Sequence, residues 1–310
     1  METEFKKNLE KSFELKKLAP TSIKMYLRNL EKLNDDHALK NLNFLKEVEK
    51  IQQFLEKYKP NTKRGYLISI VSALSLDKTK NKKLYDIYYA LMMDKNKEIK
   101  EVEAKGEKTE SQEKNWISWD EVTAKMKELE DKVKSFGKEI NAHQYEVLLQ
   151  EVILALYYYK APRRNEYQNM NIVKSDVGLP VDKNYLDMDK KQFVFNVYKT
   201  FKKEGQLKED IPAELFSVIQ HYLKYHPLIK GKKIVKTTNV PFLVYHNGEP
   251  LTQVNAITRI LNKTFGKKVG SSLLRHVYLS EKYGDVKKEM EEDAKAMSHS
   301  VSTQQNNYVK

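Results

Sequence analysis

The chain has 310 residues, 40% of them in the AVILMFWYC set and 32% charged, which is long and apolar enough for two packed domains of ordinary size. Cysteine is absent, which excludes disulfides, thiolate nucleophiles, Fe–S clusters and Cys-ligated zinc. Lys and Arg number 56 against 43 Asp and Glu, a net charge of +13. That excess favours a polyanionic partner, nucleic acid first and an anionic membrane surface second.

The opening METEFKKNLEKSFELKK has no apolar core, so no secretory signal is expected. Residues 1–98 read as a helical domain. Thr21 or Ser22 is expected to cap a helix whose stripe is Ile23, Tyr26, Leu27, Leu30 and Leu33. Further stripes run through Phe44–Tyr58, Tyr66–Leu74 and Leu84–Leu91. The basic excess is concentrated here: residues 1–100 carry 22 Lys/Arg against 14 Asp/Glu, the remaining 210 carry 34 against 29. This is the pattern of a module that grips phosphates.

Residues 99–115, nearly devoid of apolar side chains, are the expected flexible linker. Ser118 and Glu121 then form a capping box that starts a helix over 119–134, followed by one over 141–160. The apolar run Val152–Tyr159 falls well short of the roughly 20 residues a membrane span needs, so no membrane partner is expected. Strands are expected at Asn184–Asp189, Phe193–Lys199 and Leu207–Ile211. Helices follow from Pro212, at 252–265, at 271–283 and around 287–297. The expected fold is mainly α with a small antiparallel β-sheet, the second domain covering 116–310.

Arginine is rare: Arg28, Arg64, Arg163, Arg164, Arg259 and Arg275 are the whole set of six. A chain that otherwise uses lysine has a physical reason to use arginine where planar, bidentate phosphate recognition matters. Two segments containing arginine stand out, Ala161-Pro-Arg-Arg-Asn-Glu166 and Ser272-Leu-Leu-Arg-His276, and with them the stretch from Met297-Ser-His299 to Tyr308. Between the first two lies Val197-Tyr-Lys-Thr-Phe-Lys-Lys203.

In this order and spacing the four segments resemble the motifs of the tyrosine recombinases, the integrase superfamily of DNA breaking–rejoining enzymes. Ala161–Tyr167 is similar to G-L-R-x-S-E-L, Ser272–His276 to H-x-L-R-H, and Met297–Tyr308 to L-G-H-S-x-x-x-T-x-x-x-Y. The resemblance covers about residues 150–310 and implies a helical core-binding domain ahead of the catalytic one. It makes Tyr308 the nucleophile, Arg163 and Arg275 the phosphate-binding pair, His299 the third-motif histidine, and Lys199 the acid on a hairpin. Lys202 and Lys203 are its alternatives. Glu166 and His276 become supporting residues, and Ser272 stands where the family carries His or Lys. The chain runs two residues beyond Tyr308, without the C-terminal docking helix of many family members.

The chemistry so implied is metal-independent and needs no cofactor. A tyrosine hydroxyl attacks phosphorus and conserves the bond as a 3′-phosphotyrosine. Two guanidinium groups meet the charge on the non-bridging oxygens, and a lysine protonates the leaving 5′ oxygen. The implied partner is double-stranded DNA, with a homotetramer on paired sites passing through a Holliday junction and monomers or weak self-association without DNA. The expected location is intracellular, wherever the target DNA lies. Two alternatives belong beside it: relaxation of DNA in the manner of a type IB topoisomerase, and a non-cleaving DNA-binding relative.

Overall fold

The computed structural model describes residues 3–304, and these divide between Lys108 and Thr109 into two compact units. The chain is mainly helical with one small sheet, and no described helix is long and apolar enough to cross a membrane.

The first unit contains α1 (Glu4–Leu15), α2 (Pro20–Leu33), α3 (Val48–Glu56), α4 (Pro60–Leu74) and α5 (Lys82–Ala104). Its core includes Leu27, Leu30, Ile70, Leu74 and Tyr88, which the helical stripes mark out, together with Phe13 and Leu45, which are not stripe positions. Tyr88 is fully buried, and its hydroxyl donates to the Leu45 carbonyl at 2.8 Å, which offsets the cost of taking a phenol out of water. The expected cap on α2 is absent: Thr21 and Ser22 lie inside the first turn, behind Pro20. Proline there supplies a helical φ and has no N–H to satisfy, so the start needs no side-chain cap.

Helix α5 continues through Ala104 and α6 (Glu110–Asn115) follows, so most of the expected linker is helical and the break narrows to residues 105–109. Its Glu- and Lys-rich composition suits a solvated helix as well as an open strap, and periodicity is too weak there to separate the two. Thr109 and Gln112 form the capping box of α6.

The second unit begins with α6 and α7 (Trp119–Lys134), the latter started by Ser118 and Glu121 as the sequence indicates. Helix α8 (Ala142–Tyr158) is buried almost all round, from Tyr145 to Tyr157, and packs against α7, α10 (Ala213–Tyr225) and α11 (Ala256–Phe265). Beside them lies a five-stranded sheet of β1 (Met170–Val173), β2 (Asn184–Asp187), β3 (Gln192–Phe195), β4 (Leu207–Asp210) and β5 (Asn239–Pro241), in the order β4-β3-β2-β1-β5. Strands β2, β3 and β4 form the expected antiparallel meander, but β1 pairs with β2 in parallel, so the sheet is mixed rather than purely antiparallel. The two added strands are short, and neither alternates strongly enough to be read from sequence alone.

A short helix α9 (Phe201–Glu204) sits between β3 and β4. Helix α12 runs unbroken from Ser271 to Ala296 where two helices were expected, and α13 (Val301–Thr303) closes the described part of the chain. Gly284 is the one glycine inside α12, which has no proline, and its cost of about 1 kcal/mol is too small to break a helix by itself.

Candidate active site

The first motif leaves the core at the end of α8, where Pro162 disfavours helix for the residue before it. Tyr157 is buried, and its hydroxyl donates to the Arg164 carbonyl at 3.2 Å, fixing the strand of chain that carries Arg163 and Glu166. The Arg163 guanidinium lies 3.9 Å from the centroid of the Phe195 ring and is only 18% exposed at its side chain. Its Nη1 donates to Glu209 on β4, and its Nε is 3.9 Å from Glu166 Oε2. Lys160 approaches the other oxygen of Glu209 at 3.2 Å, so one carboxylate holds two cations.

Arg275 rises from the second turn of α12, half-buried, with Nη2 at 3.5 Å from Ser272 Oγ. Ser272 is exposed and meets Arg275 from one turn earlier in the helix, the role left to it by its short side chain. His276 beside it is exposed rather than built into a buried support. Gly270 precedes this helix because a Cβ would come within 3.0 Å of Thr258 Cγ2 on α11, so its absence lets the two helices close together.

The two arginine segments converge on buried tyrosines. Burial pushes the Tyr157 hydroxyl well above the usual phenol range, Glu166 raises it further and Arg275 opposes the shift. Tyr167 is likewise pushed up, first by burial and then by Tyr157 and Glu209, with Arg163 opposing. The rings of Tyr157 and Tyr167 meet edge to face at 6.0 Å. Arg275 therefore shares an electrostatic neighbourhood with the segment of Arg163 and Glu166, although it comes from a distant part of the unit. The Nε atoms of both arginines are buried without a hydrogen-bond partner among the described residues.

Asn184 joins this cluster to the hairpin carrying the candidate acid. Its Nδ2 donates to the Glu166 and Val197 carbonyls, while its Oδ1 accepts from the Asn196 and Val197 amides. By taking those amides it ends β3 at Phe195, short of the expected Lys199. Lys199 consequently lies exposed in the loop between β3 and β4, and Lys202 and Lys203 are exposed on α9. Tyr198 steadies the loop by donating to the Gly205 carbonyl at 2.6 Å.

The third motif lies elsewhere. Ser298 adopts φ +57°, its N–H donates to the Lys295 carbonyl at 3.1 Å, and the His299 N–H donates to Ala294 at 3.0 Å. That is the paired helix-ending pattern in which glycine is preferred at the left-handed position, and Ser298 occupies the place of the motif's glycine. At roughly 1.5 Å per residue, α12 carries its end about 30 Å from Arg275, so His299 is not brought to the arginines. Tyr308 lies outside the described residues.

Glu209 and Asn184 are neighbours of the candidate site that motif reading misses. Glu209 falls in register with Leu207 on the inward face of β4, and a charge at such a position is the signal that could have found it. Among the described residues, no group of three or more His, Asp or Glu is placed to hold a metal ion. No family model matches this sequence, and no curated protein does either.

Proposed function

We propose that the chain is a DNA strand transferase of the tyrosine-recombinase type. The observation that carries this reading is that Glu166 and Arg275 both act on the buried Tyr157 hydroxyl while Arg163 lies 3.9 Å from Glu166, in segments whose sequences resemble two recombinase motifs. Two half-buried guanidinium groups suit a phosphate whose non-bridging oxygens gain charge during displacement. Tyr308 attacks phosphorus, the 5′ oxygen leaves with a proton from Lys199, and the 3′-phosphotyrosine is resolved by a 5′-hydroxyl of the partner strand. His299 supplies a further donor or a base near the nucleophile.

The length of α12 adds a condition. The His299 end of the third motif reaches the arginines if α12 breaks near Gly284, or if a second copy of the chain delivers it. The DNA partner, the tetramer on paired sites and the intracellular setting belong to the same proposal. A non-cleaving DNA-binding relative is the second reading, favoured by the Glu209 carboxylate that already occupies Arg163.

The test is covalent trapping on a nicked duplex library in EDTA, resolved on a denaturing gel. Wild type is expected to give a protein–DNA adduct that Tyr308→Phe does not give. Tight duplex binding with no adduct supports the non-cleaving reading instead.

A further inference from the structure

The second unit contains a cavity of about 1000 Å³ between α7, the end of α8 and α10, and neither Arg163 nor Arg275 lines it. Its floor holds Glu151, a glutamate at a core position of α8 whose side chain is 96% hidden, given a relative exposure of 4%. Glu151 Oε2 has no hydrogen-bond partner among the described residues. Glu130 stands beside it and accepts from the Tyr159 hydroxyl at 2.8 Å, and Glu214, Ser217 and His221 line the wall. Lys134, Lys224 and Lys232 also line the cavity but are exposed at its mouth, with Lys134 turned to Asp131 at 3.4 Å and Lys232 to the Leu228 carbonyl at 3.2 Å.

A carboxyl buried without a partner and set beside a second carboxylate is costly to keep. The volume lies in the range of small-molecule sites. We infer that this cavity binds an alkylammonium group, with Glu151 and Glu130 accepting its N–H donors and the methylene chain lying along Leu223 and Ile229. Burial, and secondarily Glu130, holds the Glu151 carboxyl up at about 8, against which Lys134 acts. Near neutral pH the free site is therefore largely protonated, and binding proceeds as carboxylic acid plus ammonium giving the carboxylate–ammonium pair plus one proton released to solvent. The chain's charge of +13 repels cations in general, so an amine that binds here is answering a local site. This inference does not depend on the DNA chemistry proposed above.

Calorimetric titration of the full chain at pH 7, in two buffers of different ionisation enthalpy, tests it. The probes are 1,4-diaminobutane and Nα-acetyl-lysine amide. Saturable binding of the diamine with release of nearly one proton is expected. Glu151→Gln is expected to weaken it at least about tenfold and to abolish the proton release. Binding of the lysine amide as well points to a partner's side chain, and binding of the diamine alone to a free amine. No saturation by either probe at millimolar concentration overturns the inference, as does equal binding by the folded Glu151→Gln protein. Should that variant fail to fold, the carboxyl carbon of Glu151 in the wild type is followed by NMR. A titration midpoint lowered by the diamine supports the site, and an unmoved one refutes it.

Discussion

Asn184 donates from Nδ2 to the backbone carbonyl of Glu166 at 3.0 Å, which ties the first arginine motif to the start of β2. The same side chain satisfies three groups of the segment after β3, so a single amide sets the position of Glu166 relative to the Lys199 loop. Asn184→Leu removes those partners and leaves buried amides and carbonyls unpaired. A loss of about 3 kcal/mol in urea unfolding is expected, with the site dissolving before the helical core. Asn184→Asp keeps the two acceptor contacts and should lose less. Equal losses for the two variants would show that the donor contacts carry the joint.

Ser298 is a serine held at a left-handed φ of +57° where its helix ends. Left-handed backbone costs an L-residue about 1–2 kcal/mol, part of which glycine gives back through the entropy of its unfolded chain. Ser298→Gly is therefore expected to stabilise the second unit by about 0.5–1 kcal/mol, read as a higher urea midpoint at unchanged slope. A lower midpoint would mean that the serine side chain contributes more than its backbone conformation costs.

What could be read from the sequence, and what could not, follows from the range of each interaction. Ser118 and Glu121 announce α7 because a capping box is complete within four residues. The meander of β2, β3 and β4 is legible because each partner is next in the chain. The parallel pairing of β1 with β2 is not, since its partner strand is chosen by packing across a ten-residue excursion. Arg163, Arg275 and Glu166 could be singled out by motif, but Glu209 could not, because a residue type on an inward strand position carries no motif at all. The continuity of α12 was hidden for a different reason. Gly284 and its charged neighbours look like a boundary, while helix propensity over the flanking residues outweighs one glycine.

Gly284 offers a way to separate the two routes by which the His299 end of the third motif could reach the arginines. Nothing lies within 4 Å of a Cβ built on it, so Gly284→Ala is sterically free and should stiffen α12 by about 1 kcal/mol. If the site assembles within one chain through a break at this point, the substitution slows adduct formation roughly fivefold for each kcal/mol added. If a second copy delivers the nucleophile, the adduct forms at an undiminished rate. Mixing Tyr308→Phe with Arg275→Ala protein then restores an adduct that neither gives alone. Wild type giving no adduct would reject the strand-transfer reading itself, an outcome distinct from either.

Glu151 gives the fold a pH dependence of defined sign. Its carboxyl is raised from 4.5 to about 8 in the folded chain, mainly by burial, so the folded state binds more protons than the unfolded state between those values. Stability from this group is present below about pH 4.5 and falls as pH rises towards 8, by at most about 1.4 kcal/mol per pH unit. Burial, and secondarily Lys224, lowers the imidazole of His221, which lines the same cavity. Glu151→Gln removes the slope, so its stability relative to wild type should grow steadily from pH 5 to pH 8 in urea titrations. A difference independent of pH would mean that Glu151 is ionised in the folded chain throughout.

Lys199 stands exposed in the loop that Asn184 and Tyr198 shape, free to enter a groove and reach a leaving oxygen. The role of acid can be isolated from that of a phosphate contact by changing the leaving group. Lys199→Ala is expected to slow cleavage by about 10²–10⁴ on ordinary DNA, the usual worth of a positioned proton donor. A 5′-bridging phosphorothiolate leaves as a thiolate and needs no proton, so the variant should cut it nearly as fast as wild type does. Rescue of this kind assigns the proton to Lys199. A variant equally slow on both substrates moves the role to Lys202 or Lys203, for which the same pair of substrates discriminates in turn.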